Sequence, residues 1–388
     1  MRLFEHEGKQ VLQRFGIKIP VGCIATTSQE VKEATAALGK PVVIKSQVLS
    51  GGRGKAGGIK FAANPEEAKV ASEELLGKFI KGEVVKRLLI EEQLTIAKEF
   101  YIGFTIDSVA AEPIFLMSAE GGIDIEEINK LAPQKVGRRL IDMAEGFSSY
   151  MVREMGAEIG IKGKDLVILG DTAYKLYRAF LYYDALIAEI NPLVLTNVGE
   201  MLAADTKFEL DDDAAARHPE FTIEGRIEGE TDLEKRARQQ GIRYVELDGN
   251  IGIAGNGAGL MMTTVDVVEK YGGRAANFVD AGGARAVPGS GEAAIDWWDN
   301  VIQLVLANPK VKVFFFNVHG GNHRGDEVAQ GIIRGLKNSK RDIPAVIRLS
   351  GTRQEEGCAI LTRHGYSFFA GLEEAAKAVA HLAQGVND

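Results

Sequence analysis

Apolar and polar positions follow two different rhythms along this chain, and the change falls near its middle. Val11, Leu12 and Phe15 recur at helical spacing over 5–16, and Gly16 closes the run. Residues 17–23, with Pro20, read as an extended connection. Thr27-Ser28-Gln29-Glu30 opens a second helix with a capping box. Asn64-Pro65-Glu66-Glu67 opens a third, with a cap, a first-turn proline and acids at the positive end of the dipole. Apolar runs at 41–46, 88–93, 98–104 and 113–117 read as strands; the run at 98–104 alternates, so one face is buried. Helical patterning covers 138–160 and 165–182. The runs 185–195 and 201–208, joined by Thr196-Asn197-Val198-Gly199-Glu200, read as a hairpin.

From 243 onward the rhythm is regular. Strand-like runs at 243–248, 251–254, 275–280, 311–318, 344–349 and 367–369 alternate with helical stretches near 258–271, 291–307, 325–338, 354–364 and 371–384. Such alternation, with glycines at the strand ends, predicts a parallel sheet covered by helices on both faces, with ligands beyond the carboxyl ends of the strands. Residues 209–240 are acidic or charged and poor in apolar positions, which marks an inter-domain region and sets domains of 1–235 and 236–388.

Composition narrows the classes. The 388 residues are 45% hydrophobic and 26% charged, as in ordinary globular proteins, and the net charge of −8 argues against a nucleic-acid partner. Cys23 and Cys358 form neither a zinc spacing nor a disulfide framework. Charged residues in Met1–Glu7 stand where a signal peptide has its apolar core, and no run approaches the roughly 20 apolar residues of a membrane span. The expectation is no membrane partner and a cytoplasmic location, or a mitochondrial matrix location after processing.

Candidate chemistry concentrates in glycine-rich turns. Gly51-Gly52-Arg53-Gly54-Lys55-Ala56-Gly57-Gly58 carries five glycines and two cations between short strands, with Lys45 on the strand feeding it. That combination suits a phosphate clamp and equally an exposed turn. In a hairpin centred on Val198, Asn191 faces Asp205 and Glu189 faces Lys207, so these residues share one face. The Asn191 and Asp205 oxygens are suitable Mg²⁺ ligands; a polar solvent face is the plainer reading, and a slip of one residue breaks the pairing. Gly252–Gly259 loosely matches a dinucleotide fingerprint or is a tight strand-to-helix turn; either way Asn256 lies at a helix N-terminus suited to an anion. Asn317–Asp326 repeats that layout, and its His319 and His323 lack a third metal ligand nearby. Asp280–Arg285 and Arg348–Gly357 end two further strands in small or polar residues, so several strand ends border one crevice.

Taken together, these runs resemble the β subunits of the ADP- or GDP-forming succinate–CoA ligases over essentially the whole chain. The most specific matches are Val43–Val48 running into Gly51–Gly58, Lys98-Glu99, Glu189-Ile190-Asn191-Pro192-Leu193-Val194, Leu247–Gly252 running into Asn256–Leu260, and Gly320-Gly321. The resemblance implies an α/β and α+β architecture, an ATP-grasp domain followed by a flavodoxin-like, doubly wound parallel-sheet domain. It implies that Lys45, Gly52, Arg53 and Gly54 hold nucleotide phosphates and that Glu91 and Glu99 contact the nucleotide. Leu94 stands where a relative can have a threonine whose backbone lies near the base. The resemblance further implies that Asn191 and Asp205 bind Mg²⁺ and that Asn256, Gly321, Asn322 and His323 line the acyl-substrate and phosphate site. ATP or GTP and CoA are the implied substrates. The implied partner is an α subunit that carries a phosphohistidine and the main CoA site, in an αβ or α2β2 complex, so no catalytic residue is expected on this chain.

Three places depart from the pattern, all at the expected substrate end. Asn322-His323 replaces an apolar pair, Ala284-Arg285 replaces a glycine and its neighbour with 286–292 looking inserted, and Arg353-Gln354 stands where asparagine-containing sequences are usual. The expectation drawn from them is an acid more polar or more anionic than succinate: a hydroxy acid, a tricarboxylate or a sulfonated acid. An NAD-linked protein using Gly252–Gly259 leaves Gly51–Gly58 and the hairpin unexplained. A non-catalytic subunit of the same fold leaves Lys45, Arg53, Asn191 and Asp205 without a use.

Overall fold

Alternating apolar positions in the first half build two main antiparallel sheets beside the two-stranded pair Phe79–Ile80 and Glu83–Val84, and the longer apolar runs of the second half build one buried, largely parallel sheet. The computed structural model describes residues 1–123, 125, 130–221, 230–282, 290–321 and 323–385. They fall into two units, Met1–Gly229 and Glu230–Asp388.

In the first unit the smaller sheet runs in the order Gly22–Ala25, Leu88–Glu92, Val42–Ser46, Ile59–Ala62, every neighbour antiparallel. Val42, Ile44, Leu88 and Ile90 are buried with Val31, Ala68 and Leu75 of the helices Ser28–Leu38 and Pro65–Leu75. Thr27 and Asn64 cap those helices as their sequences require. The larger sheet orders Met201–Ala203, Ala185–Thr196, Ile96–Asp107, Glu112–Ser118 and Val136–Leu140, with Thr206–Leu210 also paired to Ala185–Thr196. Helices Glu5–Arg14, Ser149–Glu158 and Lys164–Tyr182 share a core with it, in which Phe104, Phe115, Phe147 and Tyr177 stack.

The helix expected from 138 is instead the strand Val136–Leu140, antiparallel to Glu112–Ser118, and the helix begins only at Ser149. Arg138 and Arg139 suit a helix by propensity, but they occupy the outermost strand of the sheet, where charged side chains blunt an exposed edge. The run 201–208 is interrupted at Ala204-Asp205, and both halves pair with Ala185–Thr196.

In the second unit the strand order is Arg243–Glu246, Ala275–Asp280, Ile251–Gly255, Val313–Gly320, Ala345–Gly351, Phe368–Phe369. The first is antiparallel and the rest are parallel, so the parallel strands have the 2-1-3-4-5 order of a flavodoxin-like sheet. Helices Ala258–Lys270 and Leu372–Gly385 cover one face. Glu292–Leu306, Gly325–Asn338 and Gln354–Arg363 cover the other. The boundary expected at 235 falls inside the helix Asp232–Gln239, whose Ala237 is buried in the core of the second unit, so the units part at 229/230.

Candidate functional site

In the first unit the site is built from the strand Val42–Ser46, the glycine loop after it, the first helix and the segment 204–205. Lys45 lies in register between Leu89 and Ile59. The loop then curls on itself: Gly58 N–H donates to the Arg53 carbonyl at 2.9 Å and Ser46 N–H to the Gly58 carbonyl at 2.9 Å. Gly52 turns with φ +72°, a conformation only glycine adopts without strain. This curl sends Arg53 inward, leaving it 8% exposed, while Gly52, Gly54 and Lys55 remain at the surface.

The buried end of Arg53 is fully engaged. One guanidinium nitrogen donates to both Asp205 oxygens at 2.9 and 3.0 Å, and another to the Ser46 carbonyl at 3.1 Å. The Glu5 carboxylate lies 3.0 Å from the same guanidinium. Lys45 Nζ reaches Glu5 and Glu91, each at 2.8 Å, and donates to the Ala204 carbonyl at 2.5 Å. Lys9 Nζ donates to both Glu91 oxygens at 2.5 and 2.6 Å. Glu5, Glu91 and Asp205 thus face Lys9, Lys45 and Arg53, and the formal charges cancel.

Burial penalises every charge in this cluster, and the neighbours decide the outcome. Burial pushes Glu5 up, but Lys45, Lys9 and Arg53 outweigh it and hold the carboxyl well below its usual range. Burial works against the Lys45 charge, and Glu5 and Glu91 more than restore it, so its pKa rises. Lys9 shares those acids and is repelled by Lys45, so burial prevails and lowers it. Burial and repulsion from Glu5 raise the Asp205 carboxyl against the pull of Arg53 and Lys45. Lys45 and Arg53 are thus buried cations whose present partners are carboxylates, an anion-binding chemistry that equally suits a phosphate.

Of the remaining residues expected at this end, Asn191 adjoins Asp205, and Glu99 adjoins Gly122, which bonds Asn191. Asn191 N–H donates to the Asp205 carbonyl at 3.1 Å, and Glu189 pairs with Lys207 in the expected register. The Asn191 side chain accepts from Gly122 N–H at 2.7 Å and donates to the Ile123 carbonyl at 2.9 Å. Glu99 is half-buried, with a carboxylate oxygen 2.9 Å from where a Cβ on Gly122 would stand. Leu94 is half-buried between two strands. Glu189 and Lys207 border a groove of about 380 Å³ over the larger sheet, with Tyr101, Leu116 and Arg138.

Magnesium fits the donor set as an ion carried in by a nucleotide. Asp205 offers a carboxylate and Asn191 an amide oxygen, and among the described residues no group of three or more His, Cys, Asp or Glu is placed to hold a metal. A Mg²⁺ held by these two residues would need further oxygens from phosphate and water, which is how the ion is ordinarily bound. The buried Ser46 and Ser50 hydroxyls beside the loop lack a protein partner and are further polar atoms at this end.

Glu5 and Lys9 escaped the reading of the sequence. The available signal was their spacing of four on the helix Glu5–Arg14, on the stripe that also buries Gly8 and Leu12. Charges inside an apolar stripe need buried partners.

In the second unit the site lies where the strand order reverses, between Ile251–Gly255 and Val313–Gly320. Asn256 Nδ2 donates to the His319 carbonyl at 2.9 Å, and His319 N–H donates back to Asn256 Oδ1 at 3.0 Å. This clasp fixes the two strand ends together, with Gly321 exposed beyond them. Asp280 Oδ1 accepts from Gly257 N–H at 2.6 Å and from Gly282 N–H at 2.9 Å. A carboxylate thus occupies a backbone donor that a dinucleotide pyrophosphate needs, which weighs against the NAD reading. His319 Nδ1 lies 3.0 Å from Ser350 Oγ rather than near a metal-ligating set.

His323 does not line an open crevice: its ring packs edge-on against Trp298, centroids 5.1 Å apart, and is 8% exposed. Arg353, in a left-handed conformation at φ +55°, and Arg324 both bond Asp326, at 3.3 and 2.7 Å. Asn322 lies outside the described residues, as do Ala284, Arg285 and most of the apparent insertion. Burial pushes the His323 imidazole below its ordinary value of 6.5, with Asp280 opposing. As pH falls through about 6.5 the unfolded chain takes up this proton first, so stability drops until the folded pKa is reached. His323→Phe, which keeps a ring against Trp298, is expected to flatten that part of a melting-temperature profile between about pH 7.5 and 5; an unchanged profile would refute it.

The comparisons with known proteins agree at both ends. Residues 2–195 match the family model of an ATP-grasp domain, and residues 255–382 that of a CoA-ligase. A succinate–CoA ligase (GDP-forming) β subunit of Thermus thermophilus is 43% identical over 99% of this chain and 100% of its own length. An ADP-forming β subunit of Ignicoccus hospitalis is 44% identical with the same coverage, and one of Rubrobacter xylanophilus 43% identical over 93% of this chain and 92% of its own. Among solved structures, an ATP citrate lyase from Methanothrix soehngenii in complex with citrate and coenzyme A aligns over 99% of both chains, with a TM-score of 0.70 at 19% identity, which speaks to the fold. With its ATP-grasp domain followed by a flavodoxin-like CoA-ligase domain, this chain belongs to the β subunits of the ADP- or GDP-forming succinate–CoA ligases.

Proposed function

We propose that this chain supplies the nucleotide site and part of the acyl site of a ligase that joins an acid to CoA. A carboxylate, CoA and ATP or GTP give acyl-CoA, ADP or GDP and phosphate, by way of an acyl phosphate and a phosphohistidine on an α subunit. One observation carries the reading: buried Arg53 bonds the Asp205 carboxylate and buried Lys45 the neighbouring Ala204 carbonyl, beside Asn191. Cations of the phosphate clamp and oxygens suited to Mg²⁺ are thereby held in one place. Magnesium, when present with the nucleotide, neutralises phosphate charge. Lys45 and the Arg53 fork bind and orient the phosphates, with Gly52 and Gly54 giving them backbone access. Asn256 holds the strand ends that present Gly321 and the helix Gly325–Asn338 towards an anionic intermediate.

The acid we assign is succinate. Of the residues that suggested a more polar acid, His323 is buried against Trp298, and Arg353, at the surface, is paired with Asp326. The complex purified with its α subunit, αβ or α2β2, is expected to use succinate with kcat/KM at least about tenfold above malate, citrate or sulfoacetate, the scale of one mismatched polar group. A preference for any of the other acids would restore the polar-acid reading. Activity without the α subunit would overturn the division of labour. We also assign the chain to the cytoplasm, or to the mitochondrial matrix after processing, where CoA and nucleoside triphosphates are available.

A further inference from the structure

Lys9 belongs to none of the motifs that identify the nucleotide site, yet it is deeply committed to it. It is 2% exposed. Its ammonium donates to Glu91 at 2.5 and 2.6 Å and to the Ala204 carbonyl at 2.7 Å, and lies 2.9 Å from Glu5. Ala204 immediately precedes Asp205, and Lys45 donates to the same carbonyl. A lysine is almost never buried to this degree unless paired. The helix Glu5–Arg14 is seated close against the strand after Asp205: a Cβ on Gly8 would come within 2.9 Å of a Thr206 methyl carbon.

The arrangement also changes what Glu91 does. Both its oxygens are taken by Lys9, and Lys45 lies 2.8 Å from one of them. In this arrangement the Glu91 carboxylate orients the two lysines. Without Lys9, Glu5, Glu91 and Asp205 would outnumber Lys45 and Arg53, and the site would be net negative where a phosphate must enter.

We propose that Lys9 is a positioning residue of the nucleotide site: it holds Glu91 and the main chain before Asp205, and its charge frees Lys45 and Arg53 to face a phosphate. The proposal rests on the nucleotide reading above. The sign of the effect follows from charge balance. Removing Lys9 weakens phosphate binding, and removing one acid with it restores neutrality and part of the binding.

The test is calorimetric titration of the full-length chain, co-purified with its α subunit, with Mg·ADP and Mg·GDP, and with adenosine and guanosine as phosphate-free probes. Lys9→Met is expected to weaken the better Mg·nucleotide at least about tenfold, the scale of one unbalanced charge in a buried site, and to leave nucleoside binding unchanged. Lys9→Arg keeps the charge and stays within about threefold of wild type, and Lys9→Met/Glu5→Gln recovers at least about threefold over Lys9→Met. Where Lys9→Met does not fold, the double variant is compared with Glu5→Gln alone: weaker Mg·nucleotide binding in the double variant is expected, and equal binding overturns the proposal. Wild-type affinity in Lys9→Met overturns the proposal alone. Equal loss of nucleotide and nucleoside with no rescue in the double variant shows a packing role and also overturns it. A wild-type complex that binds neither Mg·nucleotide overturns this proposal and the nucleotide reading together.

Discussion

Replacing Arg53 by methionine is expected to lower nucleotide-dependent kcat/KM by about 10³-fold and to destabilise the first unit by about 3–5 kcal/mol. The two losses have one origin. One guanidinium nitrogen holds both Asp205 oxygens, at 2.9 and 3.0 Å, and lies 3.0 Å from Glu5, while another bonds the Ser46 carbonyl. Methionine fills similar volume but leaves Asp205 buried, beside Glu5, without its bidentate partner. Burial and Glu5 already raise that carboxyl, so losing Arg53 favours its protonation and spoils it as a metal ligand. Arg53→Lys separates the contributions: a point charge without the planar fork should recover most of the stability and little of the catalysis. Steady-state kinetics and thermal melts of the purified complex read both. A methionine variant with near-normal kcat/KM would remove Arg53 from the phosphate clamp.

The second large effect is expected in the second unit. Trp298 is 1% exposed, with its ring against Phe316 at 5.3 Å and His323 at 5.1 Å. Gly331 lets the helices Glu292–Leu306 and Gly325–Asn338 approach, since a Cβ there would fall 2.5 Å from Trp298 Cβ. Trp298→Ala opens a cavity at this contact and should cost the second unit about 3–5 kcal/mol. His323 loses the surface that fixes its ring, and Gly321 is its near neighbour in the chain, so KM for the acid is expected to rise while nucleotide affinity holds. Denaturant melts and substrate titrations check the two parts. An unchanged midpoint would mean that the neighbouring helices collapse into the space, and an unchanged acid KM that the ring does not support the loop.

Much of the second unit was readable from the chain. Each parallel strand is a short apolar run bounded by glycine or polar turns, and each helix has a wide apolar stripe, so periodicity marks nearly every element. The flavodoxin-like order then places Asn256 and Gly321 at the reversal of strand order, which is where the glycine-rich strand ends pointed. The first unit was less legible at its edges. Arg138 and Arg139 resemble helix residues until the sheet supplies a neighbour, and the charged stretch near 235 resembles a linker until Ala237 meets its core.

The sequence by itself determined the local chemistry: a glycine loop that must turn tightly, Lys45 ahead of it, and a hairpin whose two-residue period puts Asn191 opposite Asp205. These follow from bond geometry and short-range spacing, which the chain carries wherever it folds. Only the tertiary structure decided which charges meet. Glu5 and Lys9 stand far in sequence from Glu91 and Asp205, and His323 looked like a surface ligand until Trp298 covered it. Burial and long-range pairing are properties of the packed molecule, and they determine whether an ionisable side chain serves a ligand, another side chain or the core.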